Sequence, residues 1–180
     1  MKRTYTILGL LLIITRLFVS CNYEAEAHTI AYENTTANLY GEYNLTSLNT
    51  GKPVDFNGDG IANKNQMEEC DCYANSKIVL NEDYTFIYKK ADIIINEVEG
   101  TYTCAETEYK GSWQVKRSTN TISVIHAVHR DAKGEEQNIM LYKNNDKLSL
   151  DYIFMNYPNI NTSGEPFYDF GSLKYVFTQQ

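Results

Sequence analysis

Asp55-Phe56-Asn57-Gly58-Asp59-Gly60 carries the densest chemistry in this sequence. Oxygen-bearing side chains at the first, third and fifth positions converge on one point when a glycine at the sixth permits a sharp turn, which is the spacing of a calcium-binding loop. In that geometry Asp55, Asn57 and Asp59 give side-chain oxygens, Ile61 gives its backbone carbonyl and Asn63 contributes through water. Gln66 stands at the twelfth position, where a bidentate carboxylate belongs, so Glu68 or Glu69 has to swing in, and Glu69 is taken as the remaining ligand. The expectation is weak Ca2+ binding that stiffens the loop. A metal-free β-turn is the alternative, because Asp and Asn beside Gly are ordinary turn formers.

Cys70, Cys72 and Cys104 are the next reactive group. At most one disulfide can form among them. Cys70 and Cys72, two residues apart, are awkwardly placed to bridge each other, so the bond joins one of them to Cys104 and leaves a free thiol. Either choice satisfies the spacing, and Cys72–Cys104 is the expected pairing. A zinc site is the rival, but C-x-C with one distant cysteine lacks the C-x-x-C spacing and a fourth ligand.

His126 and His129 are three apart on a strand-forming run, which turns them to opposite faces unless the strand ends or bulges between them. They are expected to be ordinary surface or core histidines. No G-x-S-x-G elbow, H-E-x-x-H pair or phosphate-cradling glycine loop occurs. Paired carboxylates such as Glu135/Glu136 diverge on extended backbone, so no catalytic residue is assigned and a non-enzyme is expected.

The elements that position these residues are strands. The chain holds 15 Tyr and 7 Phe against only 3 Pro, a composition that suits pleated, half-buried surfaces. Strand candidates are 39–47, 77–80, 84–90, 93–98, 101–107, 111–116, 121–128, 138–143, 147–154 and 173–178. Asn81-Glu82-Asp83, Glu99-Gly100 and Asn144-Asn145-Asp146 are the tight connections. Two segments interrupt this meander: Lys52–Asp71, with a short helix at Lys64–Glu69, and Asn156–Gly171, which reads as a long loop around Pro158 and Pro166. Many short strands with tight turns fit an all-β, antiparallel up-and-down barrel, because closure removes exposed sheet edges. Trp113 is expected in the barrel floor. Tyr152 and Phe154 alternate with Ile153, so they should share one face, as core packing or as part of a cavity.

The start of the chain gives an address. Lys2 and Arg3 precede an apolar run over Thr6–Thr15 that is too short to span a bilayer. Leu17-Phe18-Val19-Ser20-Cys21 resembles the lipobox of bacterial lipoproteins, which implies cleavage before Cys21 and lipidation of its thiol. The expected organisation is a signal peptide over 1–20, a lipidated Cys21 with a flexible polar tether to 37, and one domain over 38–180. Removing residues 1–20 takes the basic count from 16 to 13 against 23 acidic residues, a formal charge of −10. Nucleic acid is thereby excluded as an expected partner.

Leu39-Tyr40-Gly41-Glu42-Tyr43-Asn44-Leu45, the Asp55–Gly60 loop, Cys70/Cys72, Gly111-Ser112-Trp113 and Tyr175-Val176-Phe177 together resemble the lipocalin-like domain of Bacteroidota lipoproteins. The resemblance spans residues 38–178 and implies an eight-stranded barrel with one open mouth, held in the bacterial cell envelope at the outer membrane through Cys21. Two functions are then open. One is a non-catalytic binding module for a small, partly apolar ligand of unspecified contacts; the other is an interaction or inhibitor-type envelope protein with a filled barrel and docking loops.

Overall fold

The structure is a computed structural model that describes residues 38–180. The signal peptide, the tether and Cys21 lie outside the described residues. Nine strands follow one another: β1 Gly41–Val54, β2 Asn63–Asn65, β3 Lys77–Leu80, β4 Thr85–Asn96, β5 Thr101–Ser118, β6 Ser123–Arg130, β7 Glu136–Asn144, β8 Lys147–Ile160 and β9 Pro166–Gln179. β1 and β3 to β9 pair as antiparallel neighbours in order, and β1 also pairs with β9, closing an eight-stranded up-and-down barrel. The short β2 adds to β1 beyond β3.

Lys77–Leu80 forms as expected, whereas several expected breaks do not. Segments 84–90 and 93–98 merge into β4, and 101–107 and 111–116 merge into β5, with an unbroken register between the two strands. The helix expected at 64–69 shrinks to a 3-10 turn, Gln66–Glu68, followed by another at Asp71–Tyr73.

The long loop expected over 156–171 is corrected to a β-hairpin arm formed by the ends of β8 and β9. Its turn is built by Asn161, whose side-chain oxygen accepts the N–H groups of Ser163 and Glu165, with Gly164 at φ +82°. Pro158 and Pro166 fall on an edge strand and at a strand start, where a sheet tolerates a missing N–H. The turn between β6 and β7 uses the same chemistry at Asp131 and Gly134.

The lower end of the barrel carries the turns at 81–84, 119–122 and 145–146. It is packed with Tyr43, Phe86, Trp113, Ile125, Leu141, Leu148 and Phe177, each no more than 3% exposed. Trp113 forms the floor, as expected: its Nε1 donates to the Asn81 carbonyl at 3.1 Å and its ring packs against Tyr40 and Tyr84. Gly111 is required here, since a Cβ would lie 1.9 Å from the Val128 carbonyl oxygen. The upper end carries the turns at 97–100, 131–135 and 161–165. β7 pairs with β8 only near the lower end, from Tyr142↔Ser149 to Asn144↔Lys147, so the two strands part above it.

Candidate functional site

Tyr88 and Tyr109 stand opposite each other on β4 and β5. Tyr88 reaches across the barrel to Phe177 on β9, with ring centroids 6.1 Å apart, which fixes its side as the interior. Side chains two residues on share that face, because strand side chains alternate and this pair has no bulge. Lys90, Asp92 and Ile94 on β4, and Thr103, Ala105 and Thr107 on β5, therefore point inward above the floor. None of them is buried.

The same residues explain why residues 66–76 run where they do. Ala91, Ile93 and Ile95 point outward in the upper half of β4, yet they are buried. The strap of 3-10 turns belongs to their core cluster through Tyr73, with Met67 packed against it. β3 begins only at Lys77, opposite Lys89, so the upper edge of β4 lacks a strand partner. Side chains take its place. The Ser76 hydroxyl accepts from Ala91 N–H, and the Tyr168 hydroxyl accepts from Ile95 N–H at 3.1 Å while donating to Ile93 O at 3.2 Å. Tyr168 thus ties the β8–β9 arm across the mouth to β4.

Beneath this arm lies a small, partly open cavity of about 80 Å³, lined in part by Lys90, Asp92, Tyr157, Tyr168, Leu173 and Tyr175. Lys90 and Asp92 form a partly buried ion pair at 2.5 Å. Further down, Tyr88, Tyr109, His129, Tyr152 and Tyr175 converge: Tyr109 lies 4.4 Å from the His129 ring, and Tyr152 lies 6.1 Å from Tyr175. Burial raises the hydroxyls of Tyr88, Tyr152 and Tyr175 well into alkali, so all three remain neutral donors at physiological pH. Among the described residues the buried Tyr88 hydroxyl and the buried His129 Nδ1 have no hydrogen-bond partner. Polar groups left so in a protein interior mark a place where a further partner belongs.

His126 and His129 take opposite faces, as expected. His126 bonds Asn138 on the outside at 2.7 Å, while His129 enters the tyrosine cluster. The shared face expected for Tyr152 and Phe154 is corrected. A bulge between Tyr152 and Met155 keeps Tyr152 inside and turns Phe154 out, 74% exposed and stacked on Phe170 at 5.7 Å.

The Asp55–Gly60 loop closes on its own backbone. Asp55 Oδ2 accepts Gly60 N–H at 2.9 Å, Asn57 Oδ1 accepts Asp59 N–H at 2.9 Å, and Asp59 Oδ1 accepts Ile61 N–H at 2.7 Å. Glu69 is buried beside it, with both oxygens engaged by Phe56 N–H, Asn57 N–H and the Asn63 amide. Asp55 Oδ1 alone is buried and without a partner among the described residues that could donate to it. The disulfide is Cys72–Cys104, and Cys70 is the free thiol.

The tyrosine cluster escaped the sequence reading because its members come from five strands whose register the sequence does not print. The signal available was the i, i+2 alternation Tyr88-x-Lys90-x-Asp92, an inward polar row on a strand that is otherwise apolar inside. No family model, no curated protein and no solved structure matches this chain.

Proposed function

We propose that this chain is a membrane-anchored, lipocalin-like lipoprotein whose barrel is a non-catalytic binding module for a small, partly apolar molecule held in the upper interior. The observation that carries this is the buried Tyr88 hydroxyl, unpartnered among the described residues within a ring of tyrosines. A ligand acceptor seated there removes the cost of an unmet buried donor, about 1–3 kcal/mol, while the rings of Tyr109, Tyr152 and Tyr175 supply apolar contact. The cavity above the cluster, which reaches it at Tyr175, measures about 80 Å³, below the roughly 300–1,000 Å³ of common ligand pockets. The cargo is therefore compact, extending toward the side where β7 and β8 part and Tyr109 and Tyr152 are partly exposed. The anchor is Cys21, on the strength of the lipobox-like residues 17–21.

The native mass spectrum of the chain, purified without denaturation, tests this: retained mass from a small organic molecule is expected, and a bare polypeptide counts against it. A second reading, a protein-docking envelope protein, is favoured by the exposed Ile153, Phe154 and Phe170. It gains ground if the interior carries no ligand.

Calcium at the 55–60 loop belongs to the same proposal, with Asp55 Oδ1, Asn57, Asp59 and the Ile61 carbonyl as ligands. Glu69 would join only by releasing its present donors. Isothermal titration with Ca2+ should give a weak binding isotherm, and no heat together with an unchanged Tm would remove the site.

A further inference from the structure

Three sulfur atoms meet on the outer face of the barrel, away from the tyrosine cluster. Cys70 and Cys72 flank Asp71 on the strap, and Cys104 sits on β5, bonded to Cys72 across 32 residues of sequence. Their Sγ atoms all lie within 4.8 Å of one another. The Cys70 sulfur accepts Cys72 N–H at 3.4 Å, which holds the free thiol beside the bond rather than turned away from it. Cys104 is exposed, and the three cysteines line an open cleft of about 430 Å³ together with Asp71, Asn75 and Tyr102.

A thiolate attacks a neighbouring disulfide sulfur directly, and the rate depends on access and on how the attacker is held. Here the attacker is held. Cys70 and Cys72 belong to one short strap, so either can reach the same sulfur on β5, and the reaction is intramolecular, with the gain in effective concentration that this brings.

We propose that Cys70, Cys72 and Cys104 form a thiol–disulfide exchange centre in which Cys70 displaces Cys72 from its bond to Cys104. The Cys70 thiol gives its proton to solvent and its sulfur attacks Cys104 Sγ. The Cys104–Cys72 bond breaks with its electron pair leaving on Cys72 Sγ, which takes a proton from solvent. One S–S bond replaces another, so no oxidant or reductant is consumed. The strap is then stapled to β5 two residues earlier, and Cys72 is the thiol offered to the cleft.

The test is alkylation of the full native chain with limiting N-ethylmaleimide at pH 8.5, where an ordinary free cysteine is about half thiolate. An acid quench and non-reducing peptide mapping follow, with the Cys21 peptide read separately. Exchange places label on both Cys70 and Cys72, with the Cys72 share growing as incubation before labelling is lengthened. Label on Cys70 alone at every incubation time overturns the proposal. Cys72→Ser supplies a second measurement: a Cys70–Cys104 disulfide in its peptide map supports the centre, and free thiols at Cys70 and Cys104 in the folded variant overturn it.

Discussion

In the lower half of the barrel Tyr43, Phe86, Trp113, Leu141 and Phe177 are buried in the interior; in the upper half Lys90, Asp92, Thr103 and Thr107 occupy the same inward register and are not buried. The strand pairing differs in parallel. Where β7 and β8 are hydrogen-bonded the interior is closed and mostly apolar, with the Lys143 ammonium buried over the Tyr43 ring, and where they part polar side chains enter it and remain accessible. One sheet therefore does two jobs. Below, side chains replace any cargo and stabilise the fold; above, neither packing nor hydrogen bonding is complete, and the strap and the β8–β9 arm cover what the strands leave open.

Alkali should break the distinction with the largest effect. Tyr43, Tyr73, Tyr88 and Tyr175 all have hydroxyls raised by burial. Their stabilising contribution is fully present below the ordinary tyrosine value of about 10 and is lost as pH rises beyond it, because unfolded tyrosines ionise first. Urea midpoints measured from pH 7 to 11 should hold steady to about pH 10 and then fall steeply.

Within the lower half, Phe177→Ala should cost about 3–5 kcal/mol in chemical denaturation, the range for emptying an aromatic site in a rigid core. Gly111→Ala should cost ~3 kcal/mol, because its Cβ would meet backbone that cannot retreat. Above the floor, Cys104→Ser removes the staple whichever strap cysteine holds it. Closing a loop of 32 residues predicts a loss of about 3–4 kcal/mol.

Tyr168→Phe unties the arm from β4 and should cost about 1–2 kcal/mol, from two hydrogen bonds. Amide exchange at Ile95 should quicken in the same variant. The smallest effect on stability belongs to Tyr88→Phe. It removes a buried hydroxyl that has no partner in the described residues, so stability should hold or rise by about 1 kcal/mol while ligand retention is lost.

How much of this the sequence disclosed depends on whether the signal was local. Asn81-Glu82-Asp83 and Asn144-Asn145-Asp146 mark turns by residue chemistry alone, and Lys77–Leu80 matches its strand residue for residue. The arm was missed because Pro158, Pro166 and the Asn-rich stretch between them weigh toward loop. Yet Asn161-Thr162-Ser163-Gly164-Glu165 repeats the chemistry of the hairpin turn Asp131-Ala132-Lys133-Gly134-Glu135. The bulge that expels Phe154 has no local mark. For the disulfide, Cys104 was legible as one end, while the choice of Cys72 over Cys70 depends on how a 3-10 turn aims two neighbours.

The most direct measurement is the native mass of the wild-type chain and of Tyr88→Phe, prepared side by side without denaturant. The account expects a small-molecule adduct on the wild type that is lost or much reduced in the variant, with both proteins folded. A bare wild-type chain, or an adduct retained equally by both, contradicts a binding site in the upper interior.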